Sequence, residues 1–579
     1  MCGICVIVQP GVASNQHRSN CFCVSELLQA VYRRGPDSLS CKRCVLGKQA
    51  EAICVSALLQ MRQTNTAKQT VQLHEETHCD ETVVLYNGEI YNCGELSSNE
   101  HTVSGTSNCT FDSVSSNANN DTEMLQDLLN QNCSGASEIL FVLTRIRGPF
   151  AFVFLQQQRM WFTTDVFGRK SLLAAVANHR FEISDVKQCE NNHLEHKRQN
   201  AFGLVLSSVA LQLSTIGIEE SDFVQVPSGV LFCLDFTASS ESALSLSVPM
   251  LRIYPFRPYP IGLTEFCVLF DNVECHDSIT ISHANCRYAI ADLFSIHRCS
   301  AERYHCEDVL FSGGVDSLLL CALAAEVVPA NEVIDLINVS FYKHSCSQNS
   351  SNVCTRNEPD GHQTMDRVTG LKAYEELKSL HQSKKFRFVC VDVCSCEIGS
   401  VKAERLKYLL LPGDASIIDS SVGTCLWFAA RSQGHVLETG VKYTSQCRVL
   451  LSGTGADEML GGYARHRGRY SAGGMRALAS ELEMELRRIG SRNLARDDRV
   501  VADHGKELRL PYLDEPLVAW VNRNIPLRVK TNMNLPVGVG EKCLLRATLW
   551  KLGFRNACFV PKRAFQFGSG ISKLEKLTR

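Results

Sequence analysis

The residues able to do chemistry fall at the start of the chain and around two Gly-rich turns. Cys2 follows the initiator Met1. Removal of Met1 would leave an α-amine beside the Cys2 thiol. An amine titrating near about 7.7–8.0 can serve as that thiol's base. A buried structural cysteine in a first strand is the plainer reading of the same residue. Asn87-Gly88 lies between two β-like runs, with Glu89 next in line. The pair reads as a type I′ hairpin or as an oxyanion hole, the Asn87 amide and the Gly88 N–H being the donors. Asp121 opens a helix-like segment, either as its cap or as a carboxylate for the amine of an amino-acid substrate.

Ser312-Gly313-Gly314-Val315-Asp316-Ser317 has the composition of a phosphate cradle. Adjacent glycines leave N–H groups uncovered at a helix start, where the dipole favours an anion. Asp316 adds a carboxylate that could hold Mg²⁺ against phosphates. No Gly-Lys-Ser/Thr ending follows, so this is not a Walker A loop. Gly453 and Asp457 sit in a second Gly-rich turn, where an acid could share that Mg²⁺ or merely complement a helix dipole. Lys542 could stabilise charge on a transferring phosphate, as could a lysine in Pro561-Lys562-Arg563. Each basic residue taken singly reads as solvated.

These residues need strands and helices to hold them. Val309-Leu310-Phe311 predicts a buried strand into the first turn, and the Leu/Ala-rich run after Ser317 a helix. Residues 333–339, 386–393 and 448–453 predict further strands, and residues 370–380 a helix that Asp366-Arg367-Val368-Thr369 precedes. Alternation of this kind argues for an α/β fold with a parallel, doubly wound sheet, its ligand at the carboxyl ends of the strands. Prolines at 255, 258 and 260 argue against a helix interior or central strand there, so residues 256–284 read as a linker. Residues 97–120 and 344–363 read as polar insertions.

Composition narrows the partners. Lys+Arg 59 against Asp+Glu 61 leaves no electrostatic footprint for nucleic acid or an anionic membrane. No apolar run is long enough to span a bilayer, and no basic region precedes the first apolar stretch, so a cytoplasmic protein with reduced thiols is expected. The 28 cysteines include one CxxC, Cys41 to Cys44, without a second pair at zinc-ribbon spacing. Cys390, Cys394 and Cys396 alternate on an apparent strand and read as core residues.

The motifs together resemble known families. MCGI, RGPDS (from Arg34), YNGEIYN (from Tyr86), NDTE, GPFAF and DVFGRKSL are similar in order and spacing to the class II, N-terminal-nucleophile glutamine amidotransferase domain. The resemblance implies an α+β, four-layer αββα domain over residues 2–255. In it Cys2 attacks glutamine, Asn87 and Gly88 stabilise the tetrahedral intermediate, and Asp121 and Glu89 contact the substrate. The family carries an Arg on the strand after the RGPD turn; here Val55 to Leu59 has none, and Arg62 lies just downstream.

SGGVDS, SGTGADEMLGGY, RDDR, LRLPYLDEP, GEKCLLR and PKRAFQFGSG resemble asparagine synthetase-type ATP pyrophosphatase domains, here over residues 285–579. The divergent branch of asparagine synthetase domain-containing proteins is the nearest likeness. By resemblance, Ser312, Gly313, Gly314, Asp316, Ser317, Gly453 and Lys542 would bind ATP and pyrophosphate, and Asp316 and Asp457 would hold Mg²⁺. Glutamine, ATP and a carboxylic acid, aspartate foremost, would be the substrates; a homodimer is compatible with the family. The implied reaction is glutamine-dependent asparagine synthesis. Thr454 stands where the family loop has Glu, and Leu411 to Ser416 lacks an Arg-Ala-Ser pattern. A nucleotide-binding protein with weakened catalysis, or amidation of another acid, therefore stays open.

Overall fold

The computed structural model of the chain describes residues 2–10, 28, 31–46, 50–59, 71–77, 82–96, 121–132, 135–179, 201–211, 213, 218–237, 249–257, 273–275, 306–343, 364–411 and 417–577. Arg62, the two polar insertions, residues 412–416 and the Cys2 side chain lie outside the described residues. The chain divides into two compact units, in the main Met1–Gln60 with Thr66–Ser282 and His283–Leu410 with Asp414–Arg579.

The first unit has two sheets. One runs β10-β8-β9-β1-β3-β2-β4 and the other β13-β12-β11-β7-β6-β5. The strands are β1 (Cys2–Pro10), β2 (Ser38–Leu46), β3 (Ala50–Leu58), β4 (Val71–Thr77), β5 (Val83–Gly88), β6 (Phe150–Gln156), β7 (Arg159–Thr164), β8 (Leu173–His179), β9 (Ala201–Ser207), β10 (Val224–Gln225), β11 (Val230–Asp235), β12 (Met250–Pro255) and β13 (Val273–Cys275). Pairing is antiparallel except β2 with β4 and β12 with β13. The period of two in side-chain direction decides the packing. Ile4, Val6 and Val8 of β1 meet Leu85, Val153 and Phe162 of the other sheet in a shared core. Cys5 and Ile7 face the opposite way, into a cluster with Val31. Phe150, Phe152 and Phe154 of β6 point outward under α1 (Asp121–Asn132) and α2 (Ala136–Arg145). In α2 the buried residues Ile139, Leu140, Val142 and Leu143 recur at helical spacing, which fixes the face it lays on the sheet.

Residues 256–284, expected as a linker, contribute β13 to this sheet. Its three residues carry too little pattern to read as a strand. β12 also runs to Pro255, one residue into the proline-rich stretch. Pro255 is tolerated because β13 pairs only with Leu251 to Ile253, so no ladder bond is asked of the proline on that side.

The second unit is built on one sheet in the order β18-β17-β16-β15-β14-β19-β20. These are β14 (Cys306–Leu310), β15 (Val333–Tyr342), β16 (Lys385–Cys394), β17 (Gln433–Val436), β18 (Lys442–Thr444), β19 (Val449–Leu451) and β20 (Glu507–Arg509). Five strands are parallel; β17 and β18 add antiparallel to one edge, so the sheet is mixed rather than wholly parallel. That short polar hairpin lacks the apolar run that betrays a central strand. Chain order runs outward from β14 through β15 and β16, then resumes on the other side of β14 with β19 and β20. The reversal between β14 and β19 is where an α/β sheet opens a crevice at its carboxyl ends.

α3 (Val315–Val327) follows β14, and α4 is Met365–Leu380. α4 starts earlier than the expected 370, so Asp366 to Thr369 form its first turn rather than a lead-in. Cys396 lies in α5 (Ser395–Val401), not on the strand, and is joined to Cys394 by a disulfide. The expected pair of reduced core thiols is thereby corrected for these two. Among the described residues, no helix is long and apolar enough to cross a membrane.

Candidate active site

In the first unit, β1 opens with Cys2 paired to Leu58 of β3. Leu58 also accepts the Asp37 N–H at 3.1 Å, so the Arg34-Gly35-Pro36-Asp37 turn stands beside the start of β1. A Cβ on Gly35 would come within 2.4 Å of Ala57 carbon, which explains glycine in that turn. The residue paired with Cys2 is thus a leucine, 42% exposed, at the end of the strand that lacks the family's arginine.

Asn87 and Gly88 end β5. The pair does not turn a two-residue hairpin: β5 pairs with β6, which begins at Phe150. A Cβ on Gly88 would sit 2.3 Å from Pro149 oxygen, so only glycine fits. The Glu89 N–H donates to that same oxygen at 3.1 Å. Asp121, at the start of α1, accepts the Ile90 N–H at 2.9 Å. The structure therefore gathers Asn87, Gly88, Glu89 and Asp121 around one turn. Asn92 ties the turn down, donating to Arg145 oxygen at 2.9 Å and accepting the Arg147 N–H at 2.9 Å. Asp165 and Arg169 form a buried pair at 3.0 Å, and Arg169 donates to Gly148 oxygen at 2.8 Å. The GPFAF and DVFGRKSL motifs thus lock together as support for that turn.

In the second unit, the turn after β14 and the turn after β19 lie side by side. Gly313 has φ +74°, and a Cβ there would meet Gly370 Cα and Thr369 oxygen at 2.6 Å. Its lack of a side chain lets the turn rest on the first turns of α4. Gly453 plays the same part between the two turns, since its Cβ would stand 2.7 Å from Asp316 Cβ. Ser312 Oγ accepts the Gly314 N–H at 3.3 Å, and Ser317 donates to Gly314 oxygen at 3.1 Å, so both hydroxyls shape the turn. Gly313→Ala combines left-handed strain with overpacking and is expected to cost about 2–4 kcal/mol. A fall in the thermal midpoint, with loss of any stabilisation by Mg-ATP, is the readout.

Charge organises the rest. Lys542 donates to Asp316 Oδ2 at 2.7 Å and to Asp457 Oδ1 at 2.8 Å. Its side chain is 1% exposed. It takes φ +52° just before α6 (Cys543–Lys551), a conformation non-glycine residues seldom adopt, which marks a constrained position. Lys562 donates to Asp457 Oδ2. Burial opposes the charged form of Asp457, yet Lys542 and Lys562 overcome it and hold the carboxyl well below the usual range. Burial opposes the charge on Lys562 too, but Asp457 and then Asp316 outweigh it and raise its affinity for a proton. Asp316 Oδ1 is buried with no hydrogen-bond partner among the described residues, and Tyr512 donates to Asp316 carbonyl oxygen at 3.0 Å. Oxygen donors on paired carboxylates, one of them unengaged, suit a hard divalent cation.

Lys562 is the residue sequence reasoning passed over as one more solvated cation. Its pairing with Asp457 spans 105 residues, beyond any local signal. Arg546 was passed over likewise. It donates to Glu541 oxygen at 2.7 Å and to Cys558 and Val560 oxygens at 2.7 and 3.0 Å. One guanidinium thus fixes both lysine-bearing segments. Thr454, in the place of the family's Glu, spends its hydroxyl inside its own turn against Ser452 Oγ at 2.9 Å. Burial, and after it Asp457, push Glu458 up to about 7 while Tyr463 hydroxyl donates to it at 2.6 Å.

Known proteins match both halves. The family model of the glutamine amidotransferase domain matches residues 58–188, and that of asparagine synthase residues 470–574. A putative glutamine-hydrolysing asparagine synthetase 1 of Methanocaldococcus jannaschii is 33% identical over 153 residues, covering 22% of this chain and 28% of that protein. Asparagine synthetase domain-containing protein 1 of Homo sapiens is 31% identical over 652 residues, covering 100% of this chain and 96% of that protein. The Mus musculus protein of the same name is 32% identical over 649 residues, covering 100% and 97%. Matched at that identity along its whole length, the chain belongs to the asparagine synthetase domain-containing protein 1 family.

Proposed function

We propose that the chain is a glutamine-dependent, ATP-consuming amide synthetase, with glutaminase chemistry in residues 2–255 and synthetase chemistry in residues 285–579. The observation that carries this reading is the Lys542 ammonium shared between Asp316 and Asp457 at the carboxyl ends of adjacent strands. Cys2 attacks the amide carbon of glutamine. Asn87 and Gly88 donate to the oxyanion, with Asp121 and Glu89 orienting the substrate. Hydrolysis then leaves glutamate and ammonia. In the second unit the acceptor carboxylate attacks the α-phosphorus of ATP and pyrophosphate departs. Gly313, Gly314 and the start of α3 receive the phosphates, Ser312 and Ser317 hold the turn in shape, and Gly453 admits Asp316 beside it. Lys542 neutralises charge on the leaving group. Magnesium, when bound to Asp316 and Asp457, supplies further charge neutralisation. Ammonia then displaces AMP to give the amide.

The full chain given L-aspartate, L-glutamine and Mg-ATP is expected to release AMP and asparagine, and Cys2→Ala to do so only with added ammonium. No AMP and no asparagine from either protein overturns the reading. Thr454, its hydroxyl occupied by Ser452, favours one rival: a nucleotide-binding protein without turnover. That rival predicts thermal stabilisation by Mg-ATP with no product.

A further inference from the structure

Attack of ammonia on an acyl adenylate leaves a nitrogen that must lose a proton, and Thr454 cannot take it. A carboxyl group outside the charge chain already described lies in the same wall. Asp366, in the first turn of α4, is 6% exposed, and its Oδ2 is buried with no hydrogen-bond partner among the described residues. A Cβ on Gly568 would lie 1.9 Å from Asp366 Oδ1 and 2.3 Å from Oδ2, so the carboxyl lies directly over that glycine. Asn338 donates to Phe311 oxygen at 2.8 Å and to Asp366 oxygen at 3.1 Å. One amide thereby ties Asp366 to the residue before Ser312. On the other side, Arg563 donates to Thr369 at 3.2 Å, drawing the Lys562 segment onto α4. The first turn of α4, which carries Asp366, is thus held between the turn at Ser312 and the segment carrying Lys562.

A buried acceptor without a donor costs stability. Its retention points to a donor that arrives with the reactants. Among the acids beside Lys562, Glu458 also has a raised affinity for its proton, but Tyr463 and Asn493 already donate to its Oε1.

We propose that Asp366 is the proton acceptor of the amide-forming step. The inference rests on the synthetase reading above. As the ammonia nitrogen bonds to the acyl carbon, the bond from that carbon to the AMP oxygen breaks, its electron pair leaving with AMP. A proton on nitrogen passes to Asp366 Oδ2. Burial pushes the Asp366 carboxyl up to about 7, against the opposing charges of Lys562 and Arg563, which face it from the segment before Phe565. A base poised near the working pH is the effective kind.

The test uses the full chain, Mg-ATP, L-aspartate as the acceptor probe, and ammonium chloride in place of glutamine. Aspartate-dependent exchange of labelled pyrophosphate into ATP reports adenylation, and asparagine reports the amide step. Asp366→Asn is expected to keep the exchange while asparagine formation falls roughly 10²–10⁴-fold, with loss of the wild-type rate inflection near pH 7. Asp366→Glu is expected to restore part of the rate and to move the inflection. It carries the test should the Asn variant fail to fold. Equal loss of both half-reactions, or loss of neither, overturns the assignment. Wild type unable to exchange pyrophosphate overturns the synthetase reading itself, a separate result.

Discussion

Asp457→Ala is expected to destabilise the second unit by about 3–5 kcal/mol, the usual cost of breaking a buried ion pair from one side. Pyrophosphate release is expected to fall by roughly 10²–10³-fold, the size of loss that follows removal of one preorganised electrostatic group. Lys542 keeps Asp316, but Lys562 loses the carboxylate it donates to, and two ammonium groups are left facing each other. Chemical denaturation with and without Mg-ATP measures the first effect, and pyrophosphate release the second. Acidity gives an independent check. The folded Asp457 value lies below the unfolded one, so its contribution is fully present above about pH 4. The contribution is lost as the pH falls through the folded value, and wild type should there approach the variant in stability.

Lys506→Met is expected to cost a similar 3–5 kcal/mol without touching the reaction directly. Lys506 donates to Asp308 in the middle of β14 and to Ser432 Oγ at 2.9 Å. Asp308 also accepts from Ser432 at 3.0 Å and from Ser445 at 2.7 Å, and is fully buried. Without the ammonium, the Asp308 carboxyl stays in the sheet with two hydroxyl donors and the Asp335 carboxyl beside it. Pairing Lys506→Met with Asp308→Leu should recover much of the loss, because the apolar double variant buries no charge. Denaturation midpoints for both singles and the double measure the coupling. Equal losses in all three would refute it.

What the sequence made legible was local. Strand, Gly-Gly turn and helix at Leu310 to Val327 follow one another within a few residues, so composition alone placed that turn. Asp316 and Asp457 were readable because each sits in such a turn. The cations were not: Lys542 reaches Asp316 across 226 residues, and no pattern near Pro561-Lys562-Arg563 tells a buried ammonium from a solvated one. Asp366 looked like a lead-in to a helix because apolar periodicity starts later than the backbone helix does. β13 and the β17–β18 hairpin were missed because strands this short carry no alternation to read. Cys396 shared the spacing of a strand residue, yet the chain turns helical at Ser395.

The reach of Lys542 bears on the order of synthesis. Chains emerge N-terminal end first, and domains fold as units when their parts are present. The turn at Ser312 to Ser317 and its Asp316 leave the ribosome long before Lys542 and Lys562. A nascent chain thus carries Asp316 and Asp457 before the two lysines that neutralise them have been made. The cluster is self-timing: its charges balance only once the distant lysines have been made and docked, so under the function proposed above a half-built chain would have no complete site for ATP.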